Sequence, residues 1–413
     1  MEHLRPAVAI GLLCAGWLAA DPARAPAQAD PAADPAAEPP DPARIELDEP
    51  VQAPDSPQTR WERWKAFKEG VEDEHGLSVG LNLDFVYRNA LSGPETGNSD
   101  LVSRYDLLLR QRFTDNARAS LAVRGGWGDG FDETIGSFAN TDQFARTDQD
   151  VFVLHLYYEQ DLLEDQLTLR VGKFDVGDWV DTNRYGFYNF LSYGFAHNTT
   201  IPLTGNTLGV MATYQPKEAE WIYVTAGTSN ASQTPSEVGL SSLVDDPDLF
   251  SIVEVGLKPE FGGREGVYRF IGWHHGGGFN TAAGTVDSSA TGFAVSFDQD
   301  LSDQLGLFFR FGTADGDSVE PKRYWQGGFL VKEPIPGRVN DSFAAGVVVN
   351  EFGDDRMATV LDGTDAETFL EAYYNVHLTE WAQLQPVLQV IHDPGGTDRD
   401  TAVILGLHLA LRF

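Results

Sequence analysis

Cysteine is almost missing from this chain: its 413 residues hold one, Cys14, inside the apolar run near the start. With that run removed, neither a disulfide scaffold nor a thiol nucleophile can be built. A lipoprotein reading of Cys14 has little behind it, since bulky Leu13 precedes it and the position is very early. Long apolar stretches are missing too. Hydrophobic residues make up 42% and mean hydropathy is −0.26, yet after residue 20 nothing approaches the roughly 20 apolar residues of a spanning helix. If this chain crosses a membrane, it does so as strands. Basic residues are scarce, 29 Lys and Arg against 62 Asp and Glu, for a net charge of −33. Nucleic acid would be repelled and is not an expected partner, although a solvated acidic surface accounts for the number equally well. Enzyme signatures are also lacking. No zinc-helix spacing, G-x-S-x-G elbow or phosphate loop occurs, and His274 and His275 alternate faces of a strand, so they cannot easily share a metal. Acidic tips at 315–317 and 398–400 are expected to be solvated rather than to bind calcium. No cofactor is expected, and no catalytic role.

The chain starts like an export signal. A short head carries Arg5, residues 7–20 are an apolar run of the usual length, and Ala27-Gln28-Ala29 offers a cleavage site before Asp30. The expected order is a signal peptide at 1–29, a disordered Pro/Ala/Asp-rich leader at 30–58, a short amphipathic helix at 59–76 and a β-barrel domain at 77–413. Trp61, Trp64, Phe67 and Val71 carry the helical period. That helix is expected to pack on the barrel mouth, with partner binding as the alternative.

From Leu77 the period becomes two. LSVGLNLDFVYR at 77–88 sets Leu77, Val79, Leu81, Leu83, Phe85 and Tyr87 against Ser78, Gly80, Asn82 and Asp84, as a strand with one apolar face must. The same alternation marks 105–113, 117–127, 151–160, 166–173, 207–214, 221–227, 249–258, 267–274, 291–299, 305–313, 323–332, 342–350, 367–378, 383–392 and 401–413. That makes about sixteen strands, an even number. Connections alternate between long, as at 128–149 and 174–206, and short, as at 114–116 and 301–304. This is the arrangement of an all-β transmembrane antiparallel barrel. Aromatics collect at the short-turn ends (Phe113, Tyr158, Tyr214, Trp221, Trp381, Phe413) like an interfacial girdle. The faces of 267–274 and 323–332 stay ambiguous, because large aromatics occupy both.

Four segments carry a family resemblance. LTLRVGKFDVGDWVDTNRYG at 167–186 holds a Gly-Lys pair before an Asp- and Asn-containing loop, and GFAVSFDQDLSDQLGLFFRFG at 292–312 is a strand pair around a short turn. QGGFLVKEPIPGRVNDSFAAGVVV at 326–349 joins a Gly-Gly strand to Pro-Gly-Arg and Asp, and ETFLEAYYNVHLTEWAQLQPVLQVIHDPGG at 367–396 carries Glu-x-Tyr-Tyr, Leu-Thr-x-Trp and a final Pro-Gly-Gly. Over 61–413 the chain resembles the OprB-type carbohydrate-selective porins. The resemblance implies a sixteen-stranded outer-membrane barrel that passes sugars by passive diffusion, with outer-membrane lipid and, through a terminal strand ending on Phe413, the barrel assembly machinery as partners. A homo-oligomer is compatible with it. The Pro/Ala/Asp leader departs from the family pattern, and membership does not fix the sugar.

Inward side chains of such a barrel decide what passes. On the second and third strands these are Arg104, Asp106, Arg110, Arg112, Arg118 and Arg124, planar donor forks for sugar hydroxyls or for anions. Charge pairing that keeps the lumen rigid is the alternative, and a general or anion-preferring pore is the runner-up function. The most aromatic loop, 174–206, holds Trp179, Phe187 and Tyr188 with Asp178, Asp181, Asn183 and Arg184. Either it folds inward and offers rings to a pyranose, or it packs on the wall. On the strand at 367–378, Glu371, Tyr373, Asn375 and His377 are expected to face water, or else to bond across strands.

Overall fold

The computed structural model describes residues 57–145, 151–186, 190–231, 248–277, 279–281, 284–286, 289–315, 319–354 and 363–413. The signal segment, the leader up to residue 56, Phe187, Tyr188 and Gly316-Asp317 lie outside the described residues. The chain divides into two units, 1–74 and 75–413. A helix, α1, spans Pro57–His75, all but its last residue in the first. Along it Trp64 stacks on Phe67 at 5.7 Å, and the Lys65 and Lys68 ammoniums lie 5.9 and 5.7 Å from the Trp61 ring.

The second unit is a closed antiparallel barrel. Its strands are β1 Leu77–Ser92, β2 Ser99–Thr114, β3 Ala117–Trp127, β4 Phe152–Leu162, β5 Leu167–Phe174, β6 Thr207–Tyr214, β7 Ile222–Asn230, β8 Leu249–Leu257, β9 Arg264–His275, β10 Ala290–Asp300, β11 Leu305–Ala314, β12 Arg323–Lys332, β13 Ser342–Glu351, β14 Ala366–Thr379, β15 Ala382–His392 and β16 Ala402–Arg412. Each pairs with its neighbours in sequence, and β16 closes on β1 from Asn82↔Arg412 to Ser92↔Val403. A two-residue strand, Glu260–Phe261, pairs within the β8–β9 turn, and two three-residue strands, Phe279–Thr281 and Gly284–Val286, pair with each other outside the barrel sheet. The elements begin and end within a few residues of the periodic pattern, the largest difference being β2, which starts at Ser99.

Connections at 115–116, 163–166, 301–304 and 380–381 form one rim with both barrel ends, whereas the strand ends joined through 128–151, 175–206 and 231–248 lie at the other. Outward side chains are apolar and exposed, such as Leu405 at 47% and Leu407 at 41%, while Ile404 and His408 on either side of them are buried inside. Strands of about ten residues at roughly 3.3 Å each, tilted near 45°, match an apolar band of about 25 Å. On the short-turn rim Phe113 and Trp221 project outward, and Trp381 stacks on Phe413 at 5.7 Å. The ambiguous strands resolve by layer: Phe270 and Trp325 point out, while Trp273 and Tyr324 are buried inside. The interior is therefore not uniformly polar.

A charge in the middle of the outer face should be costly, and one at the rim cheap. Leu407→Arg is expected to lose about 2–4 kcal/mol on equilibrium refolding into lipid vesicles, and Leu91→Arg, beside the end of β1, at most about 1 kcal/mol. Equal losses at both positions would contradict the outward orientation of Leu407.

Candidate functional site: the channel wall and its inward loops

The 175–206 loop enters the barrel. It leaves β5 at buried Phe174, turns through the short helix Val176–Asp178 with Asp175 accepting from Gly177 N at 2.8 Å, and crosses the inner wall. An irregular segment there has no strand to pair with, so wall side chains must satisfy its backbone. Glu254 on β8 accepts from Asp181 N at 2.7 Å, and Glu371 on β14 accepts from Leu191 N and Ser192 N at 2.6 and 3.0 Å. Arg310 on β11 donates to Phe195 O at 2.9 Å and places its Nε 3.0 Å from the Asp181 carboxylate. Tyr324 on β12 donates to Gly194 O at 2.6 Å. Rings fill the remaining space, with Phe190 stacked on Phe195 at 4.2 Å and edge-on to Tyr373 at 5.0 Å. The wall leaves room for them, since a Cβ at Gly306 or Gly346 would strike the Tyr185 or Phe195 ring.

The connection after β3 behaves alike over its described part. Glu367 on β14 accepts from Phe138 N and Ala139 N at 2.8 and 2.9 Å, and from Gly395 N of the β15–β16 connection at 2.6 Å. The two inward loops then bond to each other, Gly194 N to Ala139 O and Gln143 N to Leu191 O, both at 2.8 Å. Folding inward and packing on the wall are thus not alternatives for the aromatic loop; it does both.

That geometry separates the residues expected to line the path. Arg104, Asp106, Asp181, Glu371 and Tyr373 are all at most 9% exposed. Arg104 lies beneath the β3–β4 connection, donating to Gln143 O at 3.1 Å with its guanidinium 4.2 Å from the Phe144 ring. Asp106 accepts from Arg124 at 2.6 and 2.8 Å. The water-facing position expected for Glu371 and Tyr373 is corrected: both point inward, but the β5–β6 loop covers them. Beyond them a bulge between His377 and Thr379 interrupts the alternation. Arg110, Arg124, Arg184, Trp179 and Asn375 retain exposed surface. Arg184 binds Asp298, and its Nη1 stands 3.3 Å from Asp300. Trp179 meets Tyr157 and Phe174 edge-on at 5.4 and 5.1 Å with the Arg170 guanidinium 4.8 Å from its centroid, and Asn375 donates to Gln383 at 3.4 Å.

Sequence reasoning missed the acidic half of the arginine wall. Glu159 on β4 contacts Arg118 and stands 3.2 Å from Arg110 and 2.5 Å from Arg170. Asp161 stands 2.5 Å from Arg118 and accepts from Thr168 at 2.7 Å. The signal was present, because Leu156 and Tyr158 are the outward residues of β4 and the period puts 159 and 161 inside. Register alone shows which arginines they meet.

Within the inward loop, the buried His197 imidazole is pushed down to about 3, first by burial and then by the Arg310 guanidinium. Burial and the Asp300 carboxylate push the Tyr185 phenol up. An unfolded histidine titrates near 6.5, so as pH falls below that value the unfolded state takes up a proton before the folded state does. Stability is therefore lost progressively as pH falls from about 6.5 towards about 3. Thermal unfolding between pH 7 and pH 4 should fall less steeply in His197→Asn than in the wild type; parallel slopes would exclude His197 as a source. Glu371→Ala leaves two loop amides without their acceptor, so docking should weaken by about 1–3 kcal/mol. Faster hydrogen exchange at Leu191 and Ser192 is the expected readout, and unchanged protection would contradict the anchoring role.

Known proteins share this architecture. OprB of Pseudomonas putida superposes with a TM-score of 0.74 at 19% identity, covering 85% of this chain and 97% of that one. The outer-membrane channel DcaP of Acinetobacter baumannii superposes with a TM-score of 0.53 at 11% identity, over 82% and 97% of the respective chains. Porin B of Pseudomonas aeruginosa is 29% identical over an alignment of 137 positions that covers 29% of this chain and 30% of that protein, so the match spans less than a third of the curated relative. The description "Carbohydrate-selective porin, OprB family" matches residues 109–413, from the second strand to the last. A barrel closed strand by strand, with its lumen crossed by its own loops, thus belongs to the OprB family of carbohydrate-selective porins.

Proposed function

We propose that this chain is an outer-membrane channel that passes neutral carbohydrates, mono- and small oligosaccharides, by passive diffusion. The observation that carries the reading is the pairing of charge on the wall. Arg104 and Arg124 share Asp106; Arg110, Arg118 and Arg170 share Glu159; and Arg184 binds Asp298. These pairs offer a solute fixed donors and acceptors with part of the arginine charge offset by the recessed carboxylates. Hydroxyl groups suit that surface better than an anion does, which weighs against the anion-preferring alternative. Arg110, Arg124, Arg184 and Asn375 supply polar contacts and Trp179 an apolar one; Arg104, Asp106, Asp181, Glu371 and Tyr373 act behind them by holding shape. Binding is weak and repeated along the wall, so solute enters readily and leaves.

The remaining expectations belong to the same reading. Residues 1–29 direct export and are cleaved, the strand ending at Phe413 addresses the barrel to its assembly machinery, and the outer face meets outer-membrane lipid.

Single-channel conductance in a planar bilayer tests the reading. Glucose and maltooligosaccharides should block the current saturably, and Arg110→Ala or Arg124→Ala should each weaken apparent affinity by about 0.5–1.5 kcal/mol, roughly two- to tenfold. Open channels without sugar block would leave a general pore on the same barrel.

A further inference from the structure

We propose that Glu159 sets the charge preference of this channel. The proposal rests on the carbohydrate reading and deepens it by naming what keeps an arginine-rich wall from selecting anions. Glu159 stands in direct register between Arg118 on β3 and Arg170 on β5. Arg110 reaches it from β2, one strand further away, at 3.2 Å. One carboxylate therefore meets three guanidinium groups, and Asp161 takes a second face of Arg118 at 2.5 Å. The Glu159 side chain is 5% exposed whereas that of Arg110 is 52% exposed. The anion is recessed and a cation forms the surface, so the solute meets donors whose charge is partly offset from behind. Further along the wall, Asp106 plays the same part for Arg124 at 2.6 Å, but it serves fewer arginines.

Glu159→Gln keeps the shape and removes the charge, leaving Asp161 alone against three cations. A permeating anion then gains the attraction of one added unit charge, about threefold at a distance of roughly 7 Å in water. Screening at physiological salt, with a Debye length of about 8 Å, reduces the gain without abolishing it.

Reversal potentials across a KCl gradient in planar bilayers test this with the full-length channel. Glu159→Gln should shift the chloride-to-potassium permeability ratio towards chloride by about twofold, chloride's gain and potassium's loss both being screened. Glu159→Asp should stay near the wild type, and the double variant Arg110→Gln/Glu159→Gln should return towards it. A conducting Glu159→Gln channel with the wild-type ratio overturns the proposal. If that variant fails to assemble, Arg110→Gln decides: it should shift the ratio the other way, and an unchanged ratio overturns the proposal as well. Sugar block recorded on the same wild-type channels separates the two readings. Its absence removes the carbohydrate reading while the ratio still judges Glu159, and its presence beside an unchanged ratio removes Glu159 alone.

Discussion

Hydrocarbon offers no partner to a peptide group, so a sheet that spans it has to close on itself. Here closure is made by β1 and β16, whose register runs to the last residue, with Leu81 and Phe413 exchanging backbone hydrogen bonds at 2.9 and 3.0 Å. Everything else follows from that seam. A closed sheet has an inside and an outside, so every strand must alternate; the outside must be apolar, and the inside is free to be whatever the solute and the loops require. Outward Leu405 and Leu407 and inward His408 are adjacent consequences of one rule.

The same rule acts a second time inside the lumen. A loop entering the barrel leaves strand pairing behind, and its amides must find acceptors on the wall. Glu254, Glu367 and Glu371 meet that need, each receiving one or more backbone N–H groups, and Arg310 and Tyr324 serve the carbonyls. A buried carboxylate is costly unless its lone pairs are used. In these positions several are used at once. The interior consequently has two characters, an apolar and hydrogen-bonded region where loops dock and a charged region where water and solute pass.

In that charged region, arginine and carboxylate alternate across neighbouring strands. Arg118, Glu159 and Arg170 are consecutive rungs on β3, β4 and β5. Guanidinium groups held this way keep their planar donor geometry while part of their charge is offset. Such a wall is chemically suited to hydroxyl-rich neutral solutes, and the family to which the chain belongs is one of carbohydrate-selective porins.

Much of the barrel was legible in the sequence because period two is a local property. Leu77 to Tyr87 alternates with Ser78 to Asp84 whether or not a partner strand is known, and short turns such as 115–116 are marked by their own residues. The inward placement of Arg110, Arg118 and Arg124 follows from the same count. Partnership is not local. That Glu159 would gather three arginines from three strands, that Glu371 would be covered by a loop some 180 positions away in sequence, and that Trp273 would point inward beneath other residues depend on register and on the path of the connections. The sequence by itself determined which side chains share a face, since chirality and the pleat decide that residue by residue. Only the tertiary structure decided which of those faces meet water, because exposure depends on what another segment of the chain lays over them.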